Sequence, residues 1–217
     1  MARALKEPFC AISHLAGAVL AAVGLGILII AARGKPMPTA AYTVYGFSLI
    51  VLYSLSALYH ALHVTPAQQI WLQRLDHIAI FLLIAGTYTP VCLVTLRTGV
   101  GMALLTAVWS LATAGIVTIC FWRSHPHWVR VTLYVLMGWL AVITLAPLYR
   151  AFGAAGLGWM VAGGLAYTVG IFFYAMSDKV SRPWLGRLTP HDVWHLFVLT
   201  GSICHYILIL GYVAHYG

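Results

Sequence analysis

Two histidines at helical spacing open the last long apolar stretch of the chain. His191 and His195 are four residues apart, so on a helix they lie one above the other on the same face. Polar groups on an apolar helix are costly unless something binds or pairs with them, and imidazole is the commonest side-chain ligand of transition metals. The spacing predicts half of a metal site, with a purely structural pair as the alternative.

The composition identifies the environment of this pair. The 217 residues are 62% hydrophobic and only 7% charged, whereas soluble domains contain about 25% charged residues. The chain is therefore expected to be an integral membrane protein. Its net charge of +8 comes from twelve Lys and Arg residues that are scattered singly between the apolar stretches, so a nucleic-acid partner is excluded.

Seven apolar stretches approach or exceed the length of about 20 residues that crosses a bilayer as a helix. They predict an all-α, seven-helix bundle that forms one membrane domain over residues 1–217. The first stretch is too long for a cleaved secretory signal, so the protein is expected to be a multi-pass protein of the inner (plasma) membrane. The predicted spans lie near 11–32, 40–63, 75–96, 101–122, 128–149, 155–176 and 192–214.

An odd number of spans places the two termini on opposite sides, and the positive-inside rule orients them. The N-terminal side holds Arg3, Lys6, Arg74, Arg123, Arg130, Lys179, Arg182 and Arg187, and the other side holds Arg33, Lys35, Arg97 and Arg150. This distribution predicts a cytoplasmic N-terminus and an external C-terminus.

Under that topology, polar groups from four predicted spans share one depth at the cytoplasmic edge. The group comprises His14, His60, Asp76 and the pair His191 and His195. Three imidazoles, those of His60, His191 and His195, with an open fourth position are the ligand set of a catalytic zinc. The sequence alone does not distinguish zinc from another divalent metal.

Two further residues could assist such a metal. Asp76 is predicted to reach it through a bound water and to act as general base. Ser56 precedes His60 by four residues, so it lies one turn away on the same face, where it could orient a ligand or the carboxylate. Asp192 is expected to be interfacial or to support the ligands.

The four cysteines do not suggest a site of their own. None forms a CxxC pair, and all lie within or beside apolar stretches, so they are expected to be small buried hydrophobic residues. They are Cys10, Cys92, Cys120 and Cys204.

Several segments together resemble the bacterial hemolysin III branch of the progestin and adipoQ receptor family. They are EPFCAISH at 7–14, SLSALYH at 54–60, LDHIAI at 75–80, GTYTP at 86–90, HDVWH at 191–195 and GSICH at 201–205. The resemblance implies a seven-helix fold and a zinc ion near the cytoplasmic leaflet, held by residues matching His60, His191 and His195, with Asp76 reaching it through water. The family's first motif usually carries Asn where this chain has Cys10.

The resemblance also implies kinship with proposed membrane-embedded metal hydrolases, which include alkaline ceramidases. Bacterial members are named for a hemolytic phenotype and are associated with membrane energetics and fluidity. Two hypotheses follow: a zinc-dependent hydrolase of a lipid amide or ester, and a regulator of membrane lipid state that contains a structural zinc. Membrane lipid is the expected substrate or ligand.

Other functions have less support in the sequence. A pore-forming cytolysin needs a long amphipathic segment, and the chain has none. A transporter needs polar groups at several depths. A retinal protein needs a lysine in the seventh predicted span, 192–214, which contains none.

Overall fold

The protein is all-helical in a computed structural model, which describes residues 5–97, 99–122, 126–177, 183 and 187–216. No β-strand occurs in these ranges, and they contain six helical segments long and apolar enough to cross a membrane. The chain is therefore a multi-pass membrane protein. The helices are α1 (Pro8–Ala31), α2 (Pro36–Ala61), α3 (Pro66–Pro90), α4 (Gly99–Phe121), α5 (His127–Trp139), α6 (Leu145–Ser177) and α7 (Pro190–Gly211).

The fifth and sixth predicted spans fall within one segment of 51 residues, His127–Ser177. A 3₁₀ stretch, Leu140–Thr144, joins α5 directly to α6. Within α6 the backbone leaves helical geometry at Gly153, whose φ of 64° lies in the left-handed region that glycine adopts without a steric penalty. Residues 155–176 therefore continue as a separate helical stretch beyond this break.

The third helix begins earlier than predicted. Residues 66–74 were expected to belong to a connector, but α3 already starts at Pro66. Thr65 forms a capping box with Gln68, in which the Thr65 hydroxyl accepts from the Gln68 N–H and the Gln68 side chain accepts from the Thr65 N–H. Together with a proline in the first turn, this box starts a helix before the apolar stretch begins.

The helices pack so that the two ends of the chain meet. α1 lies against α2 and α7, α2 contacts α3, α3 contacts α4, and α6 packs along α7, while α5 touches α3, α4 and α6. The termini of α1, α2 and α7 that carry the predicted site are thereby brought together. Arg3, Arg123, Lys179 and Arg182, four of the residues used to predict the orientation, lie outside the described residues.

A close backbone approach at the start of α4 gives a stability prediction. A Cβ at Gly101 would lie 2.1 Å from the Leu96 carbonyl oxygen, whereas a Cβ at Gly99 would meet nothing within 4 Å. Because a carbonyl of the main chain cannot rotate away, Gly101→Ala should destabilise the bundle by about 1–3 kcal/mol. The measurement is the thermal unfolding midpoint in detergent, with Gly99→Ala as the matched control that stays at or above wild type.

Candidate metal centre

Three imidazoles converge where α2 ends and α7 begins. His60 lies in the last turn of α2 and is 1% exposed, and His195 is 2% exposed. The Nε2 atom of His191 lies 3.4 Å from Nε2 of His60 and 3.2 Å from Nε2 of His195. The three histidines predicted as metal ligands are therefore brought together by the fold.

These distances fit a tetrahedral metal ion. Zinc–nitrogen bonds of 2.0–2.1 Å place neighbouring ligand nitrogens of a tetrahedron about 3.3 Å apart. The two Nε2–Nε2 separations, 3.2 and 3.4 Å, lie on either side of this value. The donor set of neutral imidazole nitrogens also suits zinc and other borderline divalent metals. The residues present thus fit a divalent cation.

A capping box at the start of α7 orients the histidine pair. The Thr189 hydroxyl accepts from the Asp192 N–H at 3.2 Å, and Asp192 Oδ2 accepts from the Thr189 N–H at 2.8 Å. This reciprocal pair fixes the first turn of α7. His191 and His195 consequently project from one face of a helix whose start is held rigidly.

Glu7, which was not among the residues predicted for the site, supports His60 directly. Its side chain forms a hydrogen bond with Nδ1 of His60, and its N–H donates to the His60 carbonyl at 2.9 Å. Burial would raise the pKa of the Glu7 carboxyl, but the His60 hydrogen bond and the Lys6 ammonium lower it to about 2. An ionised carboxylate only accepts, so Nδ1 of His60 donates this hydrogen bond and Nε2 is the ring nitrogen that faces the cluster.

Cys10 is the second functional candidate that the sequence reasoning missed. It was expected to be a small hydrophobic residue, but its Sγ forms a compact group with the three imidazoles, in which all four ligand atoms lie within 4.8 Å of one another. The thiol also donates to Asp192 Oδ1 at 3.0 Å. The observed candidate metal site is therefore Cys10, His60, His191 and His195.

The other cysteines behave differently from Cys10. Cys92 and Cys204 are buried, as predicted, whereas Cys120 on α4 is exposed on the helix surface, so that prediction was wrong for Cys120. The available signal for Cys10 was its spacing. Cys10 precedes His14 by four residues, which places both side chains on the face of α1 that meets α2 and α7.

His14 completes the polar cluster on the α1 side. Its ring stacks on that of His195, with centroids 3.8 Å apart and an interplanar angle of 25°, and meets the edge of Tyr53. His14 is 3% exposed, and its ring nitrogens have no hydrogen-bond partner among the described residues. The His14 ring therefore packs on one side of His195, whose ring also contacts those of His60 and His191.

Asp76 and Ser56 stand beside the cluster on the wall of an internal cavity. The Ser56 hydroxyl and the Asp76 carboxylate are joined by a hydrogen bond, and Asp76 lies within the electrostatic range of His60. Both residues line the cavity together with His191 and His195. The predicted assisting pair is therefore located next to the predicted ligands.

The cavity, about 180 Å³ in volume, extends from this polar end between α3, α5, α6 and α7. Most of its lining side chains are aliphatic or aromatic. Tyr174 and His77 also line the cavity, and the Tyr174 hydroxyl accepts from the Arg130 guanidinium at 2.8 Å and contacts Nε2 of His77 at 3.2 Å. The cavity thus has polar side chains at the end next to the histidines and apolar side chains along the rest of its wall.

The contact between Glu7 and His60 gives a prediction for metal affinity. Glu7→Ala should weaken zinc binding about 10–100-fold, because the acceptor that holds the His60 tautomer is lost. Glu7→Gln keeps a neutral side-chain acceptor for Nδ1, so its loss of affinity should be smaller. Both variants keep the main-chain bond to the His60 carbonyl. Competition titration of zinc against a chelator measures both. Wild-type affinity in Glu7→Ala would show that Nδ1 needs no partner.

The fold and this cluster define the class of protein: a multi-pass helical membrane protein with a buried histidine–cysteine group able to hold a metal ion. The chain belongs to the haemolysin-III-related family, whose sequence model matches residues 2–206. It is 39% identical to Hemolysin-3 of Bacillus cereus over 98% of this chain and 94% of that protein. It is 37% identical to the Hemolysin-3 homolog of Bacillus subtilis over 96% of this chain and 95% of that protein.

A more distant animal relative also matches. The human monocyte to macrophage differentiation factor is 24% identical over 78% of this chain and 69% of its own length. The family resemblance that the sequence motifs indicated is thereby confirmed.

Proposed function

We propose that this protein is a zinc-dependent hydrolase that cleaves an amide or ester bond of a membrane lipid near the cytoplasmic leaflet of the inner membrane, and that it contributes to membrane homeostasis. The observation that carries the proposal is the convergence of three imidazoles, in which Nε2 of His191 lies 3.4 and 3.2 Å from Nε2 of His60 and His195. The hydrogen-bonded pair Asp76 and Ser56 lines the same cavity as His191 and His195. This pairing of a ligand set with an adjacent carboxylate is the arrangement that metal hydrolases use.

Each of the side chains at the site has a separate role in the proposed reaction. His60, His191 and His195 would hold the ion, which when bound activates water and polarises a carbonyl. Asp76 would accept the proton of the attacking water and return it to the departing nitrogen or oxygen. Ser56 would hold the Asp76 carboxylate through its hydrogen bond, so that the oxygen not bound to Ser56 faces the reaction.

The cavity supports a lipid as substrate. Its volume of about 180 Å³ is close to that of an engineered apolar cavity that accepts benzene, so it would take a short stretch of hydrocarbon and leave the rest of the lipid in the bilayer. Val161 and Leu165, which line it from α6, are 44% and 47% exposed on the outer surface. A lipid could therefore reach the site sideways, between α5 and α6.

We also propose the seven-span topology, with a cytoplasmic N-terminus. A continuous helix of 51 residues would be about 76 Å long, more than twice the apolar thickness of about 30 Å. The break at Gly153 divides this segment into two pieces of suitable length. Cysteine accessibility from each side of sealed vesicles tests this topology.

The test of the proposed activity is lipid turnover by the purified full-length protein. Zinc-loaded protein is incubated with ceramides, phospholipids and acyl-amino acids, and released fatty acid is measured against chelator-treated protein. The expected result is metal-dependent release from one of these classes. A zinc-loaded, folded protein that releases fatty acid from none of them would contradict the proposal.

A structural zinc is the second candidate function, and the position of Cys10 favours it. Structural zinc sites are closed by four protein ligands, whereas catalytic sites keep one position open, and Cys10 supplies a fourth donor. Zinc would then tie α1, α2 and α7 together in a regulator of membrane lipid state. In that case the loss of Asp76 would leave function intact, while the loss of a histidine would not.

A further inference from the structure

We propose that Cys10 is a removable fourth ligand of the metal centre. Its thiolate closes the site in a resting state, and its thiol turns to Asp192 to leave the fourth position open. The proposal concerns metal coordination alone. It rests on the metal centre proposed above but not on the hydrolytic activity.

The sulfur of Cys10 lies close enough to the three imidazole nitrogens to share a metal ion with them. A tetrahedral zinc with bonds of 2.0–2.1 Å to nitrogen and about 2.3 Å to sulfur places the sulfur about 3.6 Å from each nitrogen. In the structure, Sγ and the three imidazole nitrogens all lie within 4.8 Å of one another. A shift of about 1 Å at most, available from a small side-chain rotation, brings Sγ into the coordination sphere.

The thiol of Cys10 also has a hydrogen-bond acceptor outside the group of imidazoles. Cys10 donates to Asp192 Oδ1 at 3.0 Å, while Oδ2 of the same carboxylate is held by Thr189 in the capping box at 2.7 and 2.8 Å. The carboxylate is therefore fixed within hydrogen-bonding distance of the sulfur, and the imidazole nitrogens lie within 4.8 Å of the same sulfur. The thiol can exchange one contact for the other without movement of the helices.

The exchange is balanced by one proton. The ligand form of cysteine is the thiolate, so the thiol releases one proton to the solvent when sulfur binds the metal. When sulfur leaves, it takes up one proton from the solvent and the S–H donates to Asp192 again. No oxidant or other reactant is required.

Cys10 lies on a different helix from the three histidines. Cys10 lies in the first turn of α1, is 2% exposed, and is separated from Asp192 by 182 residues. The histidines alone join α2 to α7. A bond to Cys10 would add α1 to the same centre.

The experiment uses the full-length protein in detergent, loaded with Co²⁺ in place of zinc. Thiolate coordination produces a near-ultraviolet sulfur-to-cobalt charge-transfer band, which imidazole ligands do not produce. We expect this band in wild type and in Cys92→Ser, a matched control in which a cysteine that is 0% exposed is replaced at a distance from the site. We expect no band in Cys10→Asn or Cys10→Ser.

Metal affinity gives the second measurement. The loss of an outer partner of a ligand already costs about 10–100-fold, so Cys10→Asn should weaken Co²⁺ and Zn²⁺ binding about tenfold or more. Wild-type affinity in this variant, with an unchanged spectrum, would overturn the proposal. Wild-type protein that binds Co²⁺ without the sulfur band would also overturn it, while leaving the three-histidine centre and the proposed hydrolase in place.

A labelling experiment on the wild-type chain covers the case in which the Cys10 variants do not fold. Alkylation at each cysteine is read by mass spectrometry with and without zinc. Zinc should protect Cys10 at least several-fold and leave Cys204 unchanged. Equal labelling of Cys10 in metal-free protein and in protein that retains zinc would contradict a bond to sulfur.

Discussion

The His191→Ala protein is expected to lose stoichiometric metal binding while its helices remain folded. Nε2 of His191 lies 3.4 Å from Nε2 of His60 and 3.2 Å from Nε2 of His195, so its removal takes away a nitrogen that neighbours both of the other candidate ligand atoms. Because the loss of an outer-shell partner alone costs about 10–100-fold, the loss of this ligand should lower zinc affinity by more than about 100-fold. Metal content after dialysis, measured by mass spectrometry, gives the result.

His63→Ala is the matched control for this variant. His63 lies just after α2, is exposed, and stands outside the group of four candidate ligands. Its replacement removes an imidazole near the same helix end without touching the cluster, so the metal content should stay at one ion per chain. If His191→Ala kept wild-type metal content, the three-imidazole centre would be the wrong site.

The helical class and the candidate ligand histidines were predictable from local features of the chain. The length of the apolar stretches indicates membrane helices, and the spacing of His191 and His195 places two imidazoles on one face. His60 was found because an assumed topology placed it at the same depth as this pair. The structure brings these three residues together, which supports the depth argument although the orientation itself stays a prediction.

Helix boundaries were less predictable because polar residues also form helices. Residues 66–74 lack the apolar character that marks a span, but a capping box at Thr65 and a proline in the first turn extend α3 to Pro66. The division of the segment from His127 to Ser177 depends on one glycine with positive φ. The many glycines of this segment carry no local signal that singles out Gly153.

The residues that the sequence reasoning missed depend on contacts distant in sequence. Glu7 meets His60 across 53 residues and Cys10 meets Asp192 across 182. Both lie at the start of α1. There the local sequence does not mark an acid as a partner of a distant histidine, and a cysteine in an apolar stretch is typical of a buried hydrophobic residue. Only the packing of α1 against α2 and α7 brings these positions into contact with the candidate metal ligands and their neighbours.

The Asp76→Asn protein is expected to keep its metal and lose its activity. The amide has nearly the shape of the carboxylate and can still accept the Ser56 hydrogen bond, so the cavity wall should be preserved. It cannot accept a proton from water, and general-base catalysis contributes about 10²–10⁴-fold to rate. Lipid turnover should therefore fall by about that factor, with zinc content and thermal unfolding midpoint unchanged.

Ser56→Ala provides the graded comparison for this variant. Ser56 touches Asp76 and is 2% exposed, so its loss frees the carboxylate to rotate but leaves a base in place. The rate should fall less than in Asp76→Asn, because a misoriented base still accepts a proton. Full activity in metal-loaded Asp76→Asn would remove the general base from the mechanism. It would favour a zinc whose role is to join the helices, since a structural ion requires its ligands and not the neighbouring carboxylate.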